Sequence, residues 1–126
     1  MNSDKFSLKS RLESFRFAIN GISSLLKNEH NSRIHLGAAI ISIGLGIILK
    51  LSLTEWSMII IVIGIVFLTE LINSSIEALS DIIDPKWNKF IMMAKDYSAA
   101  AVLISAIAAL AVGCLIMIPK LIQLIF

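Results

Sequence analysis

The chain has 126 residues, of which 57% are hydrophobic and 16% are charged. This composition is too apolar for an ordinary soluble domain and indicates an integral membrane protein. Its one cysteine, Cys114, excludes a disulfide framework within a monomer. The N-terminus is polar and lacks the apolar core of a signal peptide, so no cleavage is expected.

The first predicted element is an amphipathic helix near the N-terminus. Between Ser10 and Lys27, basic residues accompany apolar residues that recur every three or four positions, namely Leu12, Phe15, Ile19, Ile22 and Leu26. A basic amphipathic helix of this kind lies in the plane of the membrane interface. Packing on a partner protein is the alternative. We expect residues 1–33 to form a cytoplasmic or interfacial segment.

Three apolar stretches predict transmembrane helices over residues 34–51, 56–83 and 94–118. The first would rise about 27 Å, near the roughly 30 Å of a hydrocarbon core. Residues 52–55 are interpreted as a short turn, and Asp84-Pro85 as a helix stop, because a residue before proline disfavours the α conformation. Trp56 and Trp87 suit the two membrane interfaces. The predicted fold is a single all-α membrane domain over residues 1–126.

The positions of the basic residues predict an orientation. If there are three spans, nine of the eleven Lys and Arg residues lie on one side of the membrane. The positive-inside rule places that side in the cytoplasm. We therefore expect a cytoplasmic N-terminus and a C-terminus on the outer side.

Polar residues form a stripe along the second predicted span. They are spaced i, i+3, i+7 and i+11 and comprise Glu70, Asn73, Glu77 and Asp81. On an α-helix they fall within an arc of about 80°. Ionisable groups in a membrane helix are costly and indicate a functional site by default. A structural hydrogen-bond network that joins the spans is the alternative.

The predicted orientation brings polar groups of three helices to the cytoplasmic interface. Glu29 and Arg33 precede the first span, and Lys95 and Asp96 begin the third. Two carboxylates can hold Mg²⁺ together with phosphate oxygens, and a lysine can neutralise phosphate charge. A carboxylate at the lipid boundary can accept a proton from a lipid hydroxyl. These groups suit phosphoryl transfer from a nucleotide to a lipid alcohol.

Other functional classes have weaker support. The sequence contains no P-loop, no Gly-rich loop of protein-kinase type and no Cys/His cluster for zinc. His30 and His35 are interpreted as interfacial polar residues. A small proton-coupled transporter that uses the intramembrane carboxylates is the main alternative, and a structural helix-packing subunit is another. The transporter is disfavoured because the ionisable groups cluster at one end, whereas transport needs access from both sides. No nucleic-acid partner is expected.

Two sequence blocks resemble the signature of the small prokaryotic diacylglycerol kinase and undecaprenol kinase family. They are Glu70-Leu-Ile-Asn-Ser-Ser-Ile-Glu-Ala-x-x-Asp81 and Ala94-Lys-Asp-x-x-Ala-Ala-Ala-Val102. Asn28-Glu29-x-x-x-Arg33 is similar to that family's upstream element. The resemblance extends from about Phe15 to Ile118.

This resemblance implies an integral-membrane lipid kinase of the bacterial inner (cytoplasmic) membrane, with a cytoplasmic active site. It implies a homotrimer with shared active sites that uses Mg²⁺ and ATP. The reaction would move the γ-phosphate of ATP to the hydroxyl of diacylglycerol, giving phosphatidic acid, or of undecaprenol, giving undecaprenyl phosphate. Both acceptors are retained here.

The resemblance also implies roles for individual residues. Glu77 is expected to be the catalytic base, and Glu29 and Glu77 to bind the metal that accompanies ATP. The residues expected to bind the nucleotide are Glu29, Glu77, Lys95, Asp96 and Phe17. Phe17 lacks the hydroxyl that an aromatic residue carries at the matching position. The residues assigned to the lipid site or its polar framework are Glu70, Asn73, Ala99 and Arg33.

Overall fold

The computed structural model describes residues 7–83 and 88–126, which form four α-helices. They are α1 (Leu8–Asn28), α2 (His30–Ile48), α3 (Leu53–Ile83) and α4 (Lys89–Ile125). By length and composition, α2, α3 and α4 can each cross a membrane. Large apolar side chains are exposed along these helices, as expected where helices face lipid. The prediction of an all-α protein with three spans and an N-terminal helix is confirmed.

One residue, Glu29, separates α1 from α2. Its backbone is extended, with φ −98° and ψ 118°, and its N–H donates to the Leu25 carbonyl at 2.9 Å. Helix α2 therefore begins at His30, four residues before the predicted span. Along α1 the apolar stripe is largely exposed and only Leu25 is buried. An exposed apolar stripe on this helix agrees with a position in the membrane interface.

Helix α2 ends in a Schellman motif. Lys50 has a positive φ of 52°. Its N–H donates to the Ile47 carbonyl at 3.2 Å, and the Leu51 N–H donates to the Gly46 carbonyl at 3.1 Å. These two bonds satisfy carbonyls that would otherwise be unpaired at the helix end. They stop α2 at Ile48, before the end of the predicted span.

The predicted turn over residues 52–55 is instead the start of α3. The Ser52 N–H donates to Glu55 Oε2 at 2.7 Å, and the Glu55 N–H donates to Ser52 Oγ at 3.3 Å. This reciprocal pair is a capping box, which satisfies two free donors at a helix N-terminus. The same Glu55 carboxylate lies 3.2 Å from Lys120 Nζ and so ties the start of α3 to α4.

Helix α4 is longer than the predicted third span at both ends. It begins after Asn88, whose side chain accepts hydrogen bonds from the N–H groups of Phe90 and Ile91. It continues through Pro119 to Ile125. Proline removes one backbone hydrogen bond, a loss that membrane helices tolerate where neighbouring groups compensate.

Helices α3 and α4 make the most extensive helix–helix contact, as an antiparallel pair. A buried apolar cluster of Leu49, Leu51, Ile59 and Met117 lies at the end that carries the α2–α3 connection. The polar stripe of α3 lies toward the opposite end, beside the first turns of α4. The predicted helix stop at Asp84-Pro85 and the interface anchor Trp87 lie outside the described residues.

Candidate functional site

The part of the polar stripe from Asn73 to Asp81 faces α4, which packs beside it. Asn73 connects the two helices: its Nδ2 donates to Glu77 Oε1 at 3.1 Å, and its Oδ1 accepts from Ser98 Oγ at 2.8 Å. Ser98 is only 6% exposed, and its hydroxyl also contacts the Lys95 carbonyl at 2.9 Å. This chain of bonds fixes the Glu77 carboxylate relative to α4.

One turn beyond Glu77, an ion pair joins the same two helices. Lys95 Nζ on α4 lies 3.1 Å from Asp81 Oδ1 on α3. The Asp81 side chain is 70% exposed, and an exposed ion pair of this kind contributes little stability. The lysine can therefore exchange Asp81 for another anion at low cost.

Glu70 is the residue of the stripe that lies farthest from the α3–α4 connection, and it faces α2. It is 2% exposed, and its Oε1 lies 3.2 Å from His35 Nε2. That distance is one of an ion pair, but no donor in the described ranges is aligned for a hydrogen bond to this oxygen. The hydroxyls of Ser32 and Ser74 are likewise buried and have no hydrogen-bond partner there. These unpaired polar atoms surround a carboxylate between α2 and α3.

Glu29 is half-buried and lies near the part of α3 that carries the polar stripe. It lines a cavity of about 360 Å³ between α1 and α3, together with Asn28, Ser74 and Ala78. The carboxylates of Glu29 and Glu77 are both close enough to Glu70 to interact with it electrostatically. The α1–α2 joint and the α3–α4 polar network therefore lie at one end of the helix bundle.

Four residues assigned to the site from the sequence stand apart from this network. Asp96 and Ala99 are exposed on α4, Arg33 is exposed at the start of α2, and Phe17 on α1 is 65% exposed. The Arg16 guanidinium lies 6.0 Å from the centre of the Phe17 ring. In the part of the chain that the structure describes, no hydrogen bond or ion pair joins Arg33 or Asp96 to Glu77.

Sequence reasoning missed three residues of this site. The interpretation of both histidines as interfacial polar residues stays a prediction; His30 is exposed, whereas His35 contacts Glu70, which the sequence did not indicate. Ser32 and Ser98 are both buried. Ser98 lies three residues after Lys95, on the same helix face, and that spacing is the signal that could have identified it.

The arrangement suits a metal ion that arrives with phosphate. Within residues 7–83 and 88–126, no three His, Cys, Asp or Glu side chains are close enough together to hold a metal. Mg²⁺ is usually held by one or two carboxylates together with substrate phosphates. Glu29 and Glu77 both interact with Glu70, and two carboxylates are within the number that a protein supplies where phosphates complete the coordination of Mg²⁺.

An apolar cavity of about 410 Å³ runs between α2, α3 and α4. His35 is the polar residue at one end of its lining, and small side chains such as Ala38 and Ala109 form part of its wall. Cys114 and Met117 lie toward the other end. Because His35 contacts Glu70, the cavity meets the polar stripe at this pair.

Comparison with known proteins places this architecture in a family. A family model described as prokaryotic diacylglycerol kinase matches residues 16–117. The chain belongs to this family. It is a lipid kinase, and its three apolar helices agree with a bacterial membrane protein. This membership favours the kinase reading over the transporter and over a purely structural subunit.

The names of two similar lipid kinases state different lipid acceptors. The undecaprenol kinase of Bacillus subtilis (strain 168) is 37% identical over 109 residues, which cover 86% of this chain and 89% of that protein. The diacylglycerol kinase of a Synechocystis species is 32% identical over 114 residues, which cover 90% of this chain and 65% of that protein. The family is therefore clear, and the acceptor is a separate question.

Proposed function

We propose that this lipid kinase transfers the γ-phosphate of ATP to the hydroxyl of a membrane lipid, at the end of the bundle where Glu29, Glu77 and Lys95 lie. The observation that carries the proposal is the bonded chain Ser98–Asn73–Glu77, which holds a carboxylate beside the lysine-bearing turn of α4. Phosphoryl transfer depends mainly on positioning and on charge stabilisation. A fixed carboxylate and a nearby lysine supply both.

In this proposal Glu77 is the general base. Its Oε1 is held by Asn73 at 3.1 Å, so the carboxylate has a defined orientation. As the lipid hydroxyl oxygen attacks the γ-phosphorus, Glu77 takes the hydroxyl proton. An oxygen–phosphorus bond forms, the bond to the bridging oxygen breaks, and ADP leaves. General bases of this kind contribute about 10² to 10⁴ in rate.

Lys95 neutralises the negative charge of the phosphate groups in this proposal. It is held 3.1 Å from Asp81 by a partly exposed ion pair. When the nucleotide binds, the ammonium group can move to a phosphate oxygen, because the pair with Asp81 is weak. Asp96 and Phe17 are proposed to contact the nucleotide from the exposed surfaces of α4 and α1.

Mg²⁺ is the proposed cofactor, with Glu29 and Glu77 as the residues that would hold it. When bound, it neutralises phosphate charge during transfer. Glu29 is suited to this role because it is half-buried near the carboxylates of α3. The proposed framework of the lipid site comprises Glu70, Asn73, Arg33 and Ala99.

Undecaprenol is the first candidate acceptor and diacylglycerol the second. The undecaprenol kinase of Bacillus subtilis supports the first, because it is similar over 89% of its own length. The apolar cavity is a suitable place for the part of the acceptor's hydrocarbon nearest its hydroxyl, since it lies among the three apolar helices and ends beside Glu70. The diacylglycerol kinase relative supports the second candidate.

Both lipids should be assayed with radiolabelled ATP and Mg²⁺ in mixed micelles. We expect label in undecaprenyl phosphate at a higher kcat/KM than in phosphatidic acid. The reverse order would make diacylglycerol the acceptor. If neither lipid is labelled by a folded preparation, the proposed function is wrong.

We further propose a cytoplasmic active site and N-terminus, and a homotrimer with shared active sites. The distribution of Lys and Arg supports the orientation. The resemblance to the family supports the trimer. Labelling of single engineered cysteines, one near the N-terminus and one near the C-terminus, with a membrane-impermeant reagent in intact cells tests the orientation. Labelling of the N-terminal cysteine in intact cells would overturn it.

A further inference from the structure

Among the described residues, the contact of His35 with Glu70 pairs a basic with an acidic side chain and joins α2 to α3. His35 Nε2 lies 3.2 Å from Glu70 Oε1. The proposed reaction gives His35 no task. The imidazole is nevertheless half-buried against a carboxylate that is almost wholly buried. A buried carboxylate needs such a partner, because removing its charge from water is costly.

The surroundings of Glu70 make His35 its main partner on α2. Ser32 is fully buried, and neither its hydroxyl nor that of Ser74 has a hydrogen-bond partner within the described ranges. The carboxylates of Glu29 and Glu77 repel the charge of Glu70. His35 therefore gives the strongest attraction of the Glu70 carboxylate toward α2, ahead of the Ser32 hydroxyl on the same helix.

The pair also occupies a particular place relative to the apolar cavity. His35 is part of the cavity lining, whereas Glu70 is not. Along the cavity the helices offer apolar and small side chains up to His35, and the polar stripe of α3 begins at its partner. A lipid whose hydrocarbon lies in this cavity would present its hydroxyl end at the pair.

We propose that His35 is a positioning residue that holds the Glu70 carboxylate in register with the hydroxyl end of the lipid acceptor. This inference rests on the proposed lipid-kinase function and adds a residue to it. His35 acts through Glu70 and takes no part in bond making. Its effect should therefore fall on use of the lipid and leave use of ATP unchanged.

The kinetic test compares His35→Ala, His35→Gln, Glu70→Gln and the double variant His35→Ala/Glu70→Gln. We expect His35→Ala to lower kcat/KM for the lipid about tenfold, the size of a typical contact coupling. The KM for ATP should stay within about twofold of the original. His35→Gln should recover part of the loss, since its polar amide can occupy the same place beside the carboxylate. The matched control is His30→Gln, an exposed histidine on the same helix.

The double variant separates positioning from simple packing. If His35 acts through Glu70, His35→Ala causes no further loss once Glu70 is replaced by Gln. Independent, multiplicative losses would overturn the proposal. So would a rise in the KM for ATP equal to that for the lipid, or full activity of His35→Ala.

A spectroscopic test requires no enzyme turnover. Its result therefore distinguishes the pairing of His35 with Glu70 from the proposed lipid-kinase function. With ¹⁵N-labelled histidine, the His35 ring signals in detergent micelles should shift on Glu70→Gln and not on Glu55→Gln at the other end of the bundle. Unchanged ring signals in Glu70→Gln overturn the pairing even if both lipids are phosphorylated. Absence of lipid phosphorylation with shifted ring signals rejects the proposed function and leaves the pairing in place.

Discussion

At the residue scale, the site depends on a carboxylate held by an amide that is itself held by a buried hydroxyl. The stripe from Glu70 to Asp81 could be predicted from its spacing alone, because only one helix face accommodates those residues. The partners on the other helices could not. A serine in a small-residue run is typical of helix packing, and only the packing of α3 on α4 turns Ser98 toward Asn73.

Glu77→Gln should lower kcat by at least about 100-fold, because an amide cannot accept the hydroxyl proton. The amide oxygen of the new side chain can still accept from Asn73 Nδ2, so the fold should be retained. Steady-state rates and thermal unfolding in micelles check both parts. Glu13→Gln, an exposed change on α1, is the matched control and should behave like the original chain. A Glu77→Gln variant with near-normal kcat would remove Glu77 from the role of base.

Ser98→Ala should lower kcat about fivefold to thirtyfold, since loss of the 2.8 Å bond to Asn73 costs about 1–2 kcal/mol of positioning. Ser105→Ala is a close control. Ser105 is equally buried, lies seven residues further along α4 and bonds Thr69 at 2.8 Å. Both variants should lose similar stability in thermal unfolding. Equal losses of kcat in the two would mean that the Asn73 bond has no special bearing on the reaction.

At the element scale, the ends of the helices show what pattern reading can and cannot predict. The apolar runs predicted all three spans, because an apolar run of that length in a membrane protein indicates a transmembrane helix. The ends depend on local hydrogen bonds that hydropathy does not report. The positive φ of Lys50, a position that usually carries glycine, and the capping box at Ser52 moved two boundaries. Pro119, a normal helix breaker, lies inside α4.

Gly46→Ala should destabilise the end of the bundle beside the α2–α3 connection. A Cβ at this position would lie 2.7 Å from a Trp56 ring atom and 3.0 Å from a Leu51 methyl. Such overpacking costs about 1–3 kcal/mol, visible as a lower thermal midpoint in micelles. Gly44→Ala, with open space around its Cβ, should match or exceed the stability of the original, since alanine favours helices. A neutral Gly46→Ala would mean that Trp56 packs elsewhere in solution.

At the scale of the whole molecule, three helices and one joint bring acidic groups from separate segments to the same end of the bundle. That convergence followed from the predicted spans, because the two crossings by α2 and α3 return the chain to the side on which the α1–α2 joint lies. The contact of α2 with α3 through His35 did not follow from it. Helix rotation about its own axis decides such contacts, and hydropathy along α2 is too uniform to fix it.

Coexpression of a Glu29→Gln chain with a Glu77→Gln chain tests the proposed sharing of active sites. If each site combines these two carboxylates from different protomers, random mixing leaves about a quarter of sites intact. Activity should then reach roughly that fraction, well above either variant alone. Sites built within single protomers would give no recovery. Mixing the two purified variants without subunit exchange is the control.

The joint at Glu29 limits how this chain can change its length. One extended residue links two helices, so an insertion or deletion there would change the direction in which the α1 stripe faces. The apolar stripe of α1 would then face water. Related sequences should therefore differ in length before α1 or near residue 50. The number of residues between the apolar stripe of α1 and Glu29 should stay the same.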